Sequence, residues 1–305
     1  MAMISVNNLT RKFGDIVAVN NLNFEINKGE LFGFIGPDGA GKTTLFRILA
    51  TLLIPDEGEA RVMNLDTVSD YKKLRKHLGY MPGRFSLYSD LSVEENLNFF
   101  ASIFGSSIEE NYDTIKDIYE AIEPFKKRRA GKLSGGMKQK LALSCALIHS
   151  PEVLLLDEPT TGVDAVSRRE FWDTLNRLKS QGLTIVVSTP YMDEAKRCDR
   201  VALMQKGSIM GIDTPENVTK MKNKTVFGVR GEPRYEVIKT LRKYPHAESV
   251  YAFGEYLHYT DEREDVDIQE IRMYLLDHGF KGVEVKAISP TIEDAFMALM
   301  EKHDE

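Results

Sequence analysis

A strand-length apolar run, Leu31-Phe32-Gly33-Phe34-Ile35, leads without a break into Gly36-Pro37-Asp38-Gly39-Ala40-Gly41-Lys42-Thr43. An unbroken apolar run of this length suits a strand buried on both faces. The octapeptide satisfies G-x-x-x-x-G-K-[ST], and a helical pattern over Thr44–Leu53 follows it. The glycines let successive backbone N–H groups curl around phosphate oxygens, and the helix behind them turns its positive end toward the same anions. Lys42 is then expected to reach the β- and γ-phosphates of a nucleotide, and the Thr43 hydroxyl to ligate Mg²⁺. Gly36, Pro37, Asp38, Gly39, Ala40, Gly41, Lys42, Thr43 and Thr44 are therefore candidate nucleotide contacts. With glycine near 7% of residues, the pattern arises by chance in about one chain of this length in a hundred. Here it also has the strand before and the helix after that the chemistry requires.

A second buried run, Val153-Leu154-Leu155-Leu156, ends at Asp157-Glu158. An acid at the end of a buried strand can hold Mg²⁺, in effect through its water shell. Glu158 beside it is placed to polarise an attacking water. Acids often start loops, so the pair gains its meaning from the loop at 36–43. Together they give Thr43 and Asp157 as metal ligands and Lys42 and Glu158 as catalytic residues.

Strands and helices alternate through the first 222 residues, which implies an α/β layer with a largely parallel sheet. The opening reads as short strands, Ile4–Val6, Ile16–Val19 and Leu22–Ile26. Residues 92–149 are mostly helical: Ser92 can cap Val93–Phe100, with further helices near Ile108–Ile122 and Gly136–His149. Beyond the second buried strand come a helix around Ser167–Ser180, the strand Thr184–Val187, a helix from Tyr191 and a hairpin through Lys206-Gly207. From 223 the pattern restarts as β-α-β-β-α-β, the order of a small ferredoxin-like α+β unit. The expected domains are 1–222 and 223–305, in keeping with 305 residues.

Charge narrows the partners. Residues 224–305 hold 11 Lys+Arg against 17 Asp+Glu, which accounts for the whole net charge of −6 and leaves the preceding part balanced. Neither part has the basic footprint of a nucleic-acid binder. Cys145 and Cys198 have no metal-ligand spacing and fit a reducing cytosol. No window approaches the roughly 18 apolar residues of a spanning helix. Met1–Thr10 lacks the basic start and apolar run of a signal peptide. The expectation is a cytoplasmic protein whose membrane role, if any, comes through a partner.

Leu133-Ser134-Gly135-Gly136-Met137-Lys138-Gln139, at a loop entering a helix, is similar to the signature motif of ATP-binding-cassette (ABC) ATPases. The other motifs fall in that family's order. Phe13 matches the aromatic residue on which adenine stacks, Gly36–Thr43 the Walker A loop, and Val153–Glu158 the Walker B strand with its catalytic Glu. Gly162-Val163-Asp164 resembles the loop that crosses to the opposite subunit. Gly36-Pro37-Asp38-Gly39 with Met81-Pro82, Ser86-Leu87-Tyr88 and Tyr191-Met192-Asp193-Glu194-Ala195 resembles the multidrug-exporter branch. The tail through Pro290-Thr291-Ile292-Glu293-Asp294-Ala295-Phe296 resembles that branch's accessory C-terminal domain, so the likeness covers nearly the whole chain.

The resemblance implies a P-loop NTPase cassette, a RecA-like core plus a helical subdomain at about 84–150. Two cassettes, identical or different, would close head to tail around two ATP molecules and their Mg²⁺. Each nucleotide would lie between one subunit's Walker loops and the other's Ser134, Gly135 and Gly136, with Asp164 on the crossing loop. A separate transmembrane permease subunit would dock near residues 84–100 and hold the pair on the inner face of the cell membrane.

Two positions depart from the family. Where it carries a Gln at the entry to the helical subdomain, this chain has Gly83; where a His follows the strand after Walker B, it has Pro190. Proline offers no hydrogen-bond donor and Gly83 only its backbone. Losing one preorganised contact to developing charge costs about 10²–10³ in rate. The chain is thus expected to be an exporter ATPase subunit, or else an ATP-holding subunit that hydrolyses poorly and completes a partner's site. A translation or DNA-repair ABC protein fits less well, since there is one cassette, no long coiled coil between the Walker motifs, and an acidic tail.

Overall fold

The structure is a computed structural model and describes residues 2–221 and 224–304, with side chains through Met300. The chain separates into two compact units, Met1–Pro215 and Glu216–Glu305. The boundary expected at 222/223 lies outside the described residues.

The first unit opens with β1 (Ala2–Phe13), β2 (Ile16–Asn27), β3 (Leu31–Ile35), α1 (Lys42–Leu49), β4 (Glu57–Val62) and β5 (Leu65–Asp66). There follow α2 (Tyr71–Leu74), β6 (Leu78–Met81), α3 (Val93–Ile103), α4 (Tyr112–Tyr119) and α5 (Gly135–Leu147). The unit closes with β7 (Val153–Asp157), α6 (Ala165–Ser180), β8 (Thr184–Thr189), β9 (Arg200–Gln205) and β10 (Ser208–Asp213). An antiparallel sheet runs β2-β1-β4-β5, and a second runs β10-β9-β3-β8-β7-β6. In the second, β9, β3, β8, β7 and β6 are parallel, and only β10 reverses.

β3, β7 and β8 are buried along their whole length, β3 with an unbroken apolar sequence and β7 and β8 with apolar centres that end in polar residues at the site, Asp157, Ser188 and Thr189. α1 follows β3 directly and turns Leu45, Phe46, Ile48 and Leu49, each at 0% exposure, into the core. That core takes side chains from both sheets, among them Ile4, Phe24, Phe32, Phe34, Val153 and Leu155. Anchoring α1 this way fixes the loop before it. Ile35 pairs with Thr189 and Asp157 with Ser188, so the carboxyl ends of β3, β7 and β8 lie side by side. Ligands of parallel α/β sheets bind outside such ends.

Several elements differ from the sequence expectation for identifiable reasons. The opening strands are two long ones rather than several short ones, because Asn8 (φ 50) and Asn21 (φ 48) break the period-two alternation without ending the strands. β6 carries Gly79, where a Cβ would come 2.6 Å from the Ala146 carbonyl, so close packing on α5 removes the residue that would have shown the pattern. The helix expected over 108–122 is confined to α4, with a 3₁₀ turn at Glu123–Phe125 that contains Pro124. The helix expected from Tyr191 is a 3₁₀ segment, Met192–Arg197. The cap at Ser92 is present: its hydroxyl accepts from Glu95 N and the Glu95 carboxylate accepts from Ser92 N.

The short helix α7 (Pro215–Lys220) begins on the last residue of the first unit. The second unit contains β11 (Val226–Arg230), α8 (Arg234–Leu241), β12 (Ala247–Phe253), β13 (Tyr256–Asp261), α9 (Ile268–Asp277), β14 (Glu284–Ile288) and α10 (Ile292–Asp304). Its sheet order is β12-β13-β11-β14, antiparallel throughout, a ferredoxin-like arrangement. Val237 and Leu241 of α8 and Ile271 and Leu275 of α9 pack with Val229, Leu257 and Tyr259 in one core.

Candidate nucleotide site

The loop after β3 is shaped by approaches that leave no room for side chains. A Cβ on Gly36 would stand 2.2 Å from the Met204 carbonyl oxygen. Gly41 has φ 101, and a Cβ there would stand 2.2 Å from the Ala18 carbonyl oxygen. Only glycine fits both positions. Gly39, Ala40, Gly41, Lys42, Thr43 and Thr44 line a cleft of about 480 Å³ together with Phe13, Ile16, Val17, Ala18, Glu158 and Lys206.

Lys42 is 3% exposed. Its Nζ donates to the carbonyls of Gly36 (2.7 Å) and Pro37 (2.9 Å) and lies 3.3 Å from Glu158 Oε1. The Thr43 hydroxyl donates to Asp157 Oδ1 at 3.2 Å, and the Ser188 hydroxyl donates to the same oxygen at 2.6 Å. A hydroxyl and a buried carboxylate thus converge as hard oxygen donors, the ligand type that Mg²⁺ prefers. Glu158 sits at φ 49, a left-handed conformation that costs a non-glycine residue about 1–3 kcal/mol. Its N–H holds the turn by donating to the Ser188 carbonyl (3.0 Å) and hydroxyl (2.9 Å). β8 therefore sets both acids at the end of β7.

Phe13 is 46% exposed, and Arg11 stacks over its ring at 4.9 Å. It stands at the mouth of the cleft rather than in the core.

The signature segment lies elsewhere. Ser134 caps α5, accepting from Met137 N at 3.4 Å. Asp164 caps α6, accepting from Val166 N (3.1 Å) and Ser167 N (3.0 Å), and these hydrogen bonds hold its carboxyl below the usual range. Gly136 packs on α6, where a Cβ would come 2.6 Å from Ser167 Oγ. Gly135 lines a second cleft, of about 190 Å³, with Gly83, Gln139, Gly162 and Glu158. Neither Ser134 nor Asp164 lines either cleft. Of the site residues named from sequence, the single chain brings together Phe13, the loop and the two acids; Gly135 shares the smaller cleft with Glu158, and Ser134 and Asp164 lie outside both clefts.

A Cβ on Gly83 would stand 3.0 Å from the Asp157 carbonyl oxygen and 3.7 Å from Glu158 Cβ. Pro190 follows the end of β8, and the nearby polar work falls to Glu194, whose buried hydrogen-bonding role has no sequence signal. Glu194, 3% exposed, accepts from Thr189 Oγ1 (2.6 Å) and Thr160 Oγ1 (2.8 Å), with Arg168 3.8 Å away. Ser188, Ile16, Val17 and Lys206 were also without a sequence signal. Their relevance comes from strand neighbours that are distant in the chain.

Comparison with known proteins agrees with this geometry. The sequence family described as ABC transporter matches residues 19–161. The chain is 42% identical over 218 residues to the probable multidrug ABC transporter ATP-binding protein YbhF of Escherichia coli (strain K12), covering 71% of this chain and only 38% of that longer protein. It is 34% identical over 304 residues to the Nod factor export ATP-binding protein I of Rhizobium sp. (strain N33), covering 97% of this chain and 96% of that one. Among solved structures, a dimeric ATP-binding cassette in a post-hydrolysis state bound to ADP and Pi superposes with TM-score 0.63 at 28% identity, over 70% of this chain and 98% of that one. The structure of cbiO1 from Clostridium perfringens, part of the cbiONQ complex, gives TM-score 0.64 at 26% identity, over 80% and 96%. With 34% identity over almost the whole of an export ATP-binding protein, and a phosphate loop and paired acids brought together, the chain belongs to the ATP-binding-cassette family, as an ABC transporter ATP-binding subunit.

Proposed function

We propose that this chain is the ATP-binding subunit of an exporter and turns over ATP where two cassettes meet head to tail. The observation that carries this reading is the convergence of Lys42, Thr43, Asp157 and Glu158 at the carboxyl ends of β3 and β7. Phe13 stacks the base, and the N–H groups of Gly36–Thr44 wrap the phosphates. Lys42 steadies the β- and γ-phosphates, while Thr43 and Asp157 hold Mg²⁺, which offsets phosphate charge when bound. Glu158 orients a water on the γ-phosphorus and takes its proton as the P–O bond to ADP breaks. The exposed Ser134-Gly135 end of α5 caps the γ-phosphate bound by the other cassette, so that ATP bridges the two. Asp164 belongs to the crossing loop at that contact.

Among the described residues no helix is long and apolar enough to cross a membrane, and in this reading export runs through a separate permease. A groove of about 470 Å³ lined by Leu52, Tyr80, Leu87, Phe100 and Ile103 supports docking beside residues 84–100. That assembly sets the chain on the inner face of the cell membrane. The independent core of the second unit supports an accessory role for residues 223–305.

Gly83 and Pro190 favour a second reading, in which this site binds ATP, hydrolyses it poorly and completes a different partner cassette. The deciding experiment is Mg²⁺-dependent phosphate release by the purified chain, beside Glu158→Gln and Gly83→Gln/Pro190→His. Turnover lost in Glu158→Gln supports the first reading. Binding without turnover, with activity gained in the double substitution, supports the second. Failure of the chain to bind ATP at all would sink both.

A further inference from the structure

The turn between β9 and β10 brings a second lysine to the nucleotide cleft. Lys206 lines it beside Val17, Ala18 and the segment Gly39–Thr44. Lys206 has φ 46 and Gly207 φ 79, so two consecutive residues are left-handed, a conformation that a lysine adopts only at a cost. The surrounding backbone holds them there. Gly207 N donates to the Ala40 carbonyl (3.0 Å), and Asn20 N donates to the Gly207 carbonyl (2.9 Å). A Cβ on Gly41 would stand 3.3 Å from Gly207 Cα. The turn is therefore fastened to the phosphate loop on one side and to β2 on the other.

That attachment sets the turn that carries Lys206 between Val17 and Gly41. In the function proposed above, the Phe13–Val17 end of the cleft takes the base and the Gly39–Thr44 end the phosphates. A turn bonded to both Asn20 and Ala40 stands between them, beside the ribose and the first phosphates. Lys42 and Lys206 are the cations lining the cleft, and Glu158 lines it as a carboxylate. Lys42 is directed inward, to Gly36, Pro37 and Glu158, so the outer part of a polyphosphate needs another counter-charge.

We propose that Lys206 is a further nucleotide-binding residue, its ammonium neutralising the α- and β-phosphates of a bound nucleoside di- or triphosphate. The assignment rests on the reading of residues 36–43 as the phosphate loop. Because the α- and β-phosphates are common to ATP and ADP, Lys206 strengthens both equally and contributes uniform binding rather than transition-state stabilisation. Being exposed, it acts through a solvent-screened charge, and the effect fades with salt.

The test is calorimetric titration of the full chain with Mg²⁺-ATP and with Mg²⁺-ADP, at low and high salt. It compares wild type, Lys206→Met, Lys206→Asn, Lys206→Arg and Lys42→Ala. Asparagine tolerates the left-handed turn while removing the charge, so it separates electrostatics from backbone damage. We expect Lys206→Met and Lys206→Asn to raise Kd for ATP and ADP alike by about two- to fivefold at low salt and less at high salt. Lys206→Arg should bind as wild type. Unchanged Kd in both neutral variants while Lys42→Ala loses binding overturns this assignment alone. A loss in Lys206→Met that Lys206→Asn does not share overturns it too, since the turn and not the charge would then matter. Wild-type affinity that survives Lys42→Ala overturns the phosphate-loop reading and this one with it.

Discussion

The ammonium of Lys42 lies 3.3 Å from Oε1 of Glu158, so the group that should grip the γ-phosphate and the group that should take the water's proton hold each other. A γ-phosphate and this carboxylate compete for one nearly buried cation. Glu158→Gln keeps the shape and removes the competing charge. It should tighten ATP binding severalfold while phosphate release falls by about 10²–10⁴, the usual worth of a positioned general base. Titration and steady-state turnover on the same preparation check the pair of effects. Weaker ATP binding in Glu158→Gln would mean that the carboxylate supports the nucleotide rather than competing with it.

Asp157 accepts from two hydroxyls on the one oxygen Oδ1, Thr43 at 3.2 Å and Ser188 at 2.6 Å, which leaves Oδ2 to face a cation. The shorter contact, from the neighbouring strand, is the one expected to orient the carboxylate. Asp157→Asn should therefore leave ATP binding in EDTA near wild type while abolishing the gain that Mg²⁺ brings. Ser188→Ala should cost about 1 kcal/mol of stability and weaken the Mg²⁺ response only in part. Equal Mg²⁺ dependence in wild type and Asp157→Asn would remove Asp157 from the metal site.

What the sequence makes legible here is local, and what it hides is mostly cross-strand. Leu31–Thr43 and Val153–Glu158 declare themselves because burial on both faces writes a continuous apolar run, and because a phosphate loop needs glycines at fixed spacing. The β-α-β-β-α-β order of the tail is readable from its succession of short strand and helix patterns, although β12 and β14 are only partly buried. Ser188 has no such signal: its role exists because β8 lies beside β7 in a register that pairs it with Asp157. Gly79 and the left-handed Asn8 and Asn21 blur periodicity at the places where strands bulge or pack closely. Lys206 reads as a hairpin turn until the parallel sheet brings that turn against Ala40. The Ser134 and Asp164 assignments depend on a second subunit, so one chain shows them only as helix caps.

Glu194 ties the loop after β7 to the end of β8 through Thr160 and Thr189, immediately beside Pro190. Removing the carboxylate strands two buried hydroxyls, each worth about 1–3 kcal/mol when left unsatisfied. Glu194→Ala should lower the urea midpoint of the full chain well beyond Glu194→Gln, whose amide can still accept from one threonine and donate to the other. Near-equal stabilities for the two variants would show that the threonines find other partners.

In the second unit, Asp294 at the start of α10 sits 2.9 Å from His258 Nδ1 through either oxygen and accepts from Thr291 N and Oγ1, both at 2.8 Å. Burial pushes its carboxyl up, but the His258 and Thr291 hydrogen bonds outweigh it and hold the carboxyl below the ordinary aspartate value of 3.8. A carboxylate depressed in the folded state adds stability above its unfolded value and loses it as pH falls through the lower folded one. Asp294→Asn should therefore unfold at lower urea than wild type at neutral pH, and the gap should close only as pH drops below about 3.8. Asp261, also held low against burial by Arg263 and Tyr259, titrates in the same direction but is present in both proteins. The wild-type-minus-variant difference thus isolates Asp294. A gap that widened on acidification would reverse the sign of the coupling and remove the His258–Asp294 contact as the fastening of α10 to β13.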